Sequence, residues 1–209
     1  MLKNTFLVKL CMGFVKLTGA VPAWLFLKPR VHLAPGAKRR LPKNCILVSN
    51  HISLIDFVLC ILVFPLRTVR FLIAEVLYNR SKLLAVFLRA IGGIRVERDK
   101  MSFDFVSDAL EVLDKGGAIG VFPQARLPVK GMVFPFTVST AFIATHSDAP
   151  IIPVYTDGNY GITKRTGVVI GAPICLNDYA QDGLTEQEQM AHLTKVLEEK
   201  VFALKEELN

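Results

Sequence analysis

Short apolar runs alternate with helical stretches along most of this chain. That alternation constrains the fold more than any other feature. Ile46–Ser49, Val69–Ala74, Ile94–Val96, Ala118–Phe122, Ile151–Tyr155 and Val168–Ile170 read as strands. Between them, Ile55–Phe64 reads as a helix ended by Pro65, and Ser81–Ile91 as a helix stopped by Gly92-Gly93. Ser102–Lys115, with Ser102 as cap and Val106, Leu110 and Leu113 inward, is a third helix, and Phe136–Thr145 a fourth. Thr185-Glu186-Gln187-Glu188 has the form of a capping box. It opens a last helix with Met190, Leu193, Leu197, Val201, Leu204 and Leu208 on one face. Strands that alternate with helices are joined by crossovers. The expected fold class is therefore α/β, a mostly parallel sheet flanked by helices. A length of 209 residues suits one such domain with a full core.

Chemistry concentrates at the end of the first strand of the alternating region. After Cys45-Ile46-Leu47-Val48 the chain reads Ser49-Asn50-His51-Ile52-Ser53-Leu54-Ile55-Asp56. The carboxyl ends of parallel strands are where α/β proteins place their sites. Imidazole titrates near neutral pH, so His51 can take a proton from an alcohol and return it. A carboxylate at the other ring nitrogen fixes the tautomer and stabilises the imidazolium. On an ideal helix this spacing would hold the two side chains apart around the axis. The pair meets only if the intervening residues turn from strand into helix. The alternative is a capping histidine beside an aspartate that merely suits a helix N-terminus. Asn50 and Ser53 adjoin the pair and can position the loop or act as ordinary caps.

Three further blocks follow: Gly92-Gly93-Ile94-Arg95-Val96-Glu97-Arg98, Val121-Phe122-Pro123-Gln124-Ala125-Arg126 and Ile151-Ile152-Pro153-Val154. With the His51/Asp56 block, their order resembles the glycerolipid acyltransferase family, whose best-known members acylate lysophosphatidic acid. That family carries H-x4-D, G-x-x-F-[IV]-x-R, F-P-E-G-[TS]-R and V-P-[VI] blocks. The resemblance runs from about residue 31 to 172. It implies catalytic roles for His51 as general base and Asp56 as its orienter. It further implies substrate contacts for Asn50, Ser53, Arg98, Gln124 and Arg126, with Arg98 on the acceptor phosphate. The acyl donor would be acyl-CoA or acyl carrier protein, used as a substrate, with no cofactor and no metal. The acceptor would be a lysophospholipid or related lipid-like alcohol. The third block departs from the pattern: Gln124 replaces Glu, Ala125 replaces Gly, and Arg126 stands one residue early, with Leu127 at the family's arginine position. Glutamine keeps an acceptor oxygen and gains donors but loses the charge. These departures point to an acceptor other than lysophosphatidic acid, or to its poor use. They also keep open an alternative in which the chain is a catalytically impaired, lipid-binding member of the fold. No G-x-S-x-G elbow supports an α/β hydrolase.

The first 28 residues form a different kind of segment. Phe6, Leu7, Leu10, Phe14, Leu17 and Val21 recur at helical spacing, with Thr5, Lys9, Gly13, Lys16 and Ala20 in a narrower stripe. Trp24 near Lys28 and Arg30 suits a bilayer interface. Lys9 and Lys16 interrupt the apolar run, so an amphipathic helix in one leaflet, broken at Pro22, is expected over a full span. The expected division is 1–28 as a membrane-associating helical segment and 29–209 as the acyltransferase domain. Hydrophobic residues make up 52% of the chain, which fits extra apolar surface for a membrane. A formal charge of +7 and the basic loop at 34–44 suit anionic membrane lipids as partners. The basic residues are dispersed and carry no basic-aromatic recognition motif, which disfavours nucleic acid. Cys11, Cys45, Cys60 and Cys175 are scattered without metal-ligand spacing, as expected of reduced thiols in apolar surroundings. The expected location is the cytoplasmic face of a membrane, with peripheral or monotopic attachment.

Overall fold

The computed structural model describes residues 5–97, 104–129 and 132–208. Seven strands form one sheet among these residues: β1 (Arg30–Leu33), β2 (Cys45–Ser49), β3 (Val69–Ala74), β4 (Ile94–Val96), β5 (Ala118–Val121), β6 (Ile151–Thr156) and β7 (Gly167–Ile170). Their spatial order is β1-β7-β6-β2-β5-β3-β4. Every neighbouring pair is parallel except β6 with β7, so β7 and β1 run against the other five. The expected mostly parallel α/β sheet is what the chain forms.

Strand β2 lies between β5 and β6, and all five of its residues are buried. Side chains alternate across a strand, so Leu47 faces one layer of helices while Ile46 and Val48 face the other. The first layer holds α1 (Thr5–Leu27), α2 (Asp56–Val63), α3 (Glu75–Arg80) and α4 (Lys82–Ala90), and packs Met12, Leu59, Tyr78 and Leu88 onto the sheet. The second holds α5 (Asp104–Asp114), α6 (Val138–Thr145) and α7 (Glu186–Ala203), with Val106, Ala109, Ile143, Leu193 and Leu197 inward. A strand covered on both faces has no use for polar residues, which is why β2 reads as an unbroken apolar run.

The capping box at Thr185 is present. The Thr185 hydroxyl accepts from the Glu188 amide, and the Glu188 carboxylate accepts from the Thr185 amide. Ser81 caps α4 in the same sense, accepting from Leu84 N. Ser102, expected to cap α5, lies outside the described residues. Helix α1 runs unbroken through Pro22, so the expected break there does not occur. It stops at Lys28, which adopts a left-handed conformation (φ 40°) ahead of Pro29.

The two lysines of α1 have different surroundings. Lys16 turns inward, and its ammonium donates to Pro65 O (2.7 Å) and Arg67 O (2.6 Å) at the end of α2. Burial lowers its pKa. Val8, Met12 and Leu27 are buried against the same layer. Val8 sits against Gly92, whose φ of 80° and whose contact with the Val8 side chain both exclude a larger residue. The opposite side of α1 exposes Phe6, Leu10, Phe14, Leu17, Val21, Trp24 and Leu25, with Phe14 67% and Leu17 81% accessible. The helix is thus half core element and half exposed apolar surface.

Met12→Ala tests whether α1 is part of the core. Truncating a fully buried methionine forfeits its transfer energy and leaves a cavity, at a cost of about 2–5 kcal/mol. Denaturant unfolding should show an unfolding free energy lower by that amount. A helix that merely trailed from the domain would give an unchanged midpoint.

Candidate active site

The residues between His51 and Asp56 are not helical. They turn out of β2, and α2 begins only at Asp56. This bend brings the pair together: His51 Nδ1 lies 2.7 Å from Asp56 Oδ2. The same oxygen accepts from Ile52 N at 2.7 Å and Ser53 N at 2.9 Å. Asp56 therefore reaches back over the turn and gathers its amides as well as the imidazole. Oδ1 accepts from the Tyr160 hydroxyl. Four donors match the acceptor capacity of an ionised carboxylate. Asp56 is 1% exposed, so these bonds replace the water it has lost. Because that carboxylate only accepts, the bridging proton belongs to Nδ1 of His51, and Nε2 is left with its lone pair. The His51 side chain is 16% exposed, and among the described residues Nε2 has no hydrogen-bond partner.

The ring is also held from its flat side. Phe122 stacks on His51 with centroids 4.5 Å apart and planes 17° apart, and Phe71 stacks behind Phe122 at 5.7 Å. Gly120 makes room for this pile, because a Cβ there would run into the Phe71 ring. A glycine in β5 thus bears on the position of the imidazole through two aromatic rings.

The other sequence candidates divide into three groups. Asn50 is buried, and its side chain pairs with the Thr156 backbone in both directions, Nδ2 to O at 2.9 Å and Thr156 N to Oδ1 at 2.8 Å. It ties the end of β2 to the end of β6. Ser53 gives its amide to Asp56, and its hydroxyl accepts from Ile55 N at 3.3 Å. Gln124 is 4% exposed, and its Oε1 accepts from the backbone N–H of His51. These three side chains are engaged in shaping the His51 loop. Arg126 stands apart: its guanidinium lies over the Phe134 ring, 5.9 Å from the centroid, and is exposed. Arg98 lies outside the described residues.

The geometry accounts for two departures of the third block. Ala125 occupies a left-handed conformation with φ 55°, a region that glycine enters without penalty. The chain follows that turn here despite the added methyl. The Gln124 oxygen that meets His51 N–H is one that a glutamate would also supply, so this bond is indifferent to the charge.

Tyr160 escaped the sequence reading. It stands in the loop after β6, far from Asp56 along the chain, in Asp157-Gly158-Asn159-Tyr160-Gly161. Burial, then the Asp56 charge, push its phenol pKa well above the ordinary value, so it remains a donor. The same loop is tied to the end of α1 by Lys28 Nζ, which donates to Ile162 O at 2.7 Å. Burial likewise raises the thiol pKa of Cys60 below Asp56, and Cys45 is pushed up to about 11. Cys175 is exposed, contrary to the expectation of four thiols in apolar surroundings. Among the described residues no three His, Cys, Asp or Glu side chains gather in a way that could hold a metal ion.

The Acyltransferase family model matches residues 32–157, from β1 to just beyond β6, and takes in His51, Asp56, Phe122 and Gln124 but not Tyr160. The chain belongs to that family. It is 25% identical over 113 residues to 1-acyl-sn-glycerol-3-phosphate acyltransferase beta of Homo sapiens, a stretch covering 54% of this chain and 41% of that protein. The matched stretch thus spans well under two thirds of that relative's length. Among solved structures, the chain resembles the 1-acyl-sn-glycerophosphate (LPA) acyltransferase PlsC of Thermotoga maritima. The TM-score is 0.60 and the identity 25%, over 95% of this chain and 79% of that one.

Tyr160→Phe isolates one of the four donors to Asp56. A hydrogen bond to a buried charged group contributes about 1.5–3 kcal/mol, and the variant should lose stability on that scale in denaturant unfolding. An unchanged midpoint would mean that the phenol does not hold the carboxylate.

Proposed function

We propose that this protein is a membrane-associated O-acyltransferase. It moves a fatty acyl chain from acyl-CoA or acyl carrier protein to a lysophospholipid or related lipid-like alcohol. The observation that carries the reading is a histidine oriented through Nδ1 by a buried carboxylate, with Nε2 unpartnered among the described residues, at the carboxyl end of the central strands. The acceptor oxygen attacks the thioester carbonyl carbon while Nε2 takes the hydroxyl proton. The tetrahedral intermediate collapses with cleavage of the C–S bond, and the imidazolium returns its proton to the departing thiolate. The products are an ester and a free thiol. Asp56 stabilises the imidazolium between the two proton transfers. The names of the relatives support a glycerophospholipid acceptor. Arg98 is retained as the residue for its phosphate, because a guanidinium fork suits a phosphate's paired oxygens.

Loss of catalysis is the competing reading, and the third block is its basis. The left-handed turn at Ala125 and the Gln124 bond to His51 N–H argue against it, since the His51 loop is assembled despite both substitutions.

Attachment through one leaflet fits the surroundings of α1 better than a span. The helix is long and apolar enough to cross a bilayer, with mean hydropathy 1.6 over Phe6–Leu27. Yet Val8, Met12, Lys16 and Leu27 fasten it lengthwise to the domain, so only its outer face is available to lipid. The functional division into 1–28 and 29–209 is kept in that sense, and the cytoplasmic face is the proposed side.

His51→Ala, assayed with a labelled acyl donor and a panel of lipid acceptors that includes lysophosphatidic acid, should lower the rate about a hundred- to ten-thousand-fold. The circular dichroism spectrum should not change. A variant that keeps more than half the wild-type rate would end the proposal.

Phe14→Ser with Leu17→Ser addresses the membrane face without opening the core, because both side chains are exposed. Vesicle flotation should fall severalfold while the unfolding free energy shifts by less than about 0.5 kcal/mol. Undiminished flotation would place the anchor elsewhere.

A further inference from the structure

The end of the sheet opposite His51 carries a second concentration of charge. A cleft of about 100 Å³ opens there between the first turns of α1 and the end of α5, floored by the starts of β3 and β5. Lys9, Arg67, Arg70 and Lys115 line it together with one carboxylate, Glu111, and the side chain of Thr68. Glu111 is paired with Lys115 at 2.6 Å. Arg67 is held by carbonyls, its Nη2 donating to Lys43 O and, at 3.1 Å, to Gly116 O. Carbonyls orient a guanidinium without cancelling its charge. Burial lowers the pKa of Arg70 and the Glu111 charge opposes this; four cations thus share one carboxylate in a concave space large enough for more than a single water. Lys9 reaches this space from the helix whose outer face is apolar.

We infer that this cleft is a binding site for a phosphate group, separate from the His51 site. Strand β5 begins at the cleft with Ala118, and the chain leaves it at Phe122, the residue stacked on His51. The two sites are therefore a strand's length apart. Like-charged side chains brought together in a cleft repel one another, and a phosphate relieves that repulsion while using their N–H donors. Two sources share this chemistry: the headgroup of an anionic lipid beside α1, and a soluble phosphate. The inference does not depend on the acyl-transfer reading, since none of these side chains belongs to the His51 cluster.

The test uses the full chain carrying Lys9→Gln with Lys115→Gln. Both residues are exposed, so the fold does not rest on them. Lys195→Gln with Lys205→Gln, exposed on and just after α7 and away from both the cleft and the basic loop, is the control for diffuse attraction. Flotation compares phosphatidylcholine vesicles with vesicles that also contain phosphatidic acid. The preference for phosphatidic acid should fall about twentyfold in the cleft variant, roughly fivefold for each charge, and less than about twofold in the control. Lys9→Arg with Lys115→Arg should retain it. Acyl transfer to a detergent-dispersed acceptor should be unchanged in all three variants. A second arm measures Tm with inorganic phosphate at constant ionic strength. A rise in the wild type that the cleft variant lacks assigns the site to a soluble phosphate, and a lipid preference without that rise assigns it to the headgroup. Equal losses in the cleft and control variants, or no loss and no Tm rise, overturn the inference.

Discussion

The carboxylate of Asp56 is the interaction on which the site depends. One buried group closes the turn after β2 through the amides of Ile52 and Ser53, fixes the imidazole of His51, and receives the Tyr160 hydroxyl from the loop after β6. Placed in an apolar interior, an aspartate must find such partners or lose its charge. The partners it finds are the ones that leave Nε2 of His51 bare. The same bonds that satisfy the buried charge therefore prepare the base.

The sheet contributes stiffness to that arrangement. Asn50 bonds to Thr156 across the ends of β2 and β6, and Gln124 holds the His51 amide from beyond the end of β5. Aromatic stacking from Phe71 through Phe122 limits how far the imidazole can tilt. The loop is thus fixed from the neighbouring strands on both sides of β2, at the end of the sheet where α/β folds open their crevices. Helix α1 joins this frame through Lys28 and the loop of Tyr160, so the apolar helix and the site share a mechanical connection.

Much of this was legible in the chain. Buried strands and capped helices carry local signals: β2, β3 and β4 lie where their patterns put them, and α7 starts at its capping box but ends at Ala203, with Leu204 and Leu208 in a 3-10 turn rather than on the helix. Strand β1, with its pattern Arg-Val-His-Leu, was not visible, because a short edge strand paired only with β7 need not be apolar. Helix α3 follows β3 without a turn residue between them, so no punctuation announced it. The His51/Asp56 pair was visible as a motif, but its meeting was not, since that requires the turn itself. Tyr160 gave no signal, because its role comes from proximity in space to a residue early in the chain. Lys16 is the instructive case in α1: periodicity groups it with Lys9 in a stripe of smaller or charged residues, yet a pattern cannot say which carbonyls will meet its ammonium.

The central claim is that Asp56 holds His51 as the Nδ1–H tautomer with Nε2 free to take a proton. Nitrogen-15 NMR of the histidine-labelled protein, at a pH where the ring is neutral, reads that tautomer directly. The account predicts a proton on Nδ1 of His51 in the wild type, and a shift toward the Nε2–H tautomer in Asp56→Asn. A wild-type His51 carrying its proton on Nε2, or one whose tautomer ignores the Asp56 substitution, would contradict it.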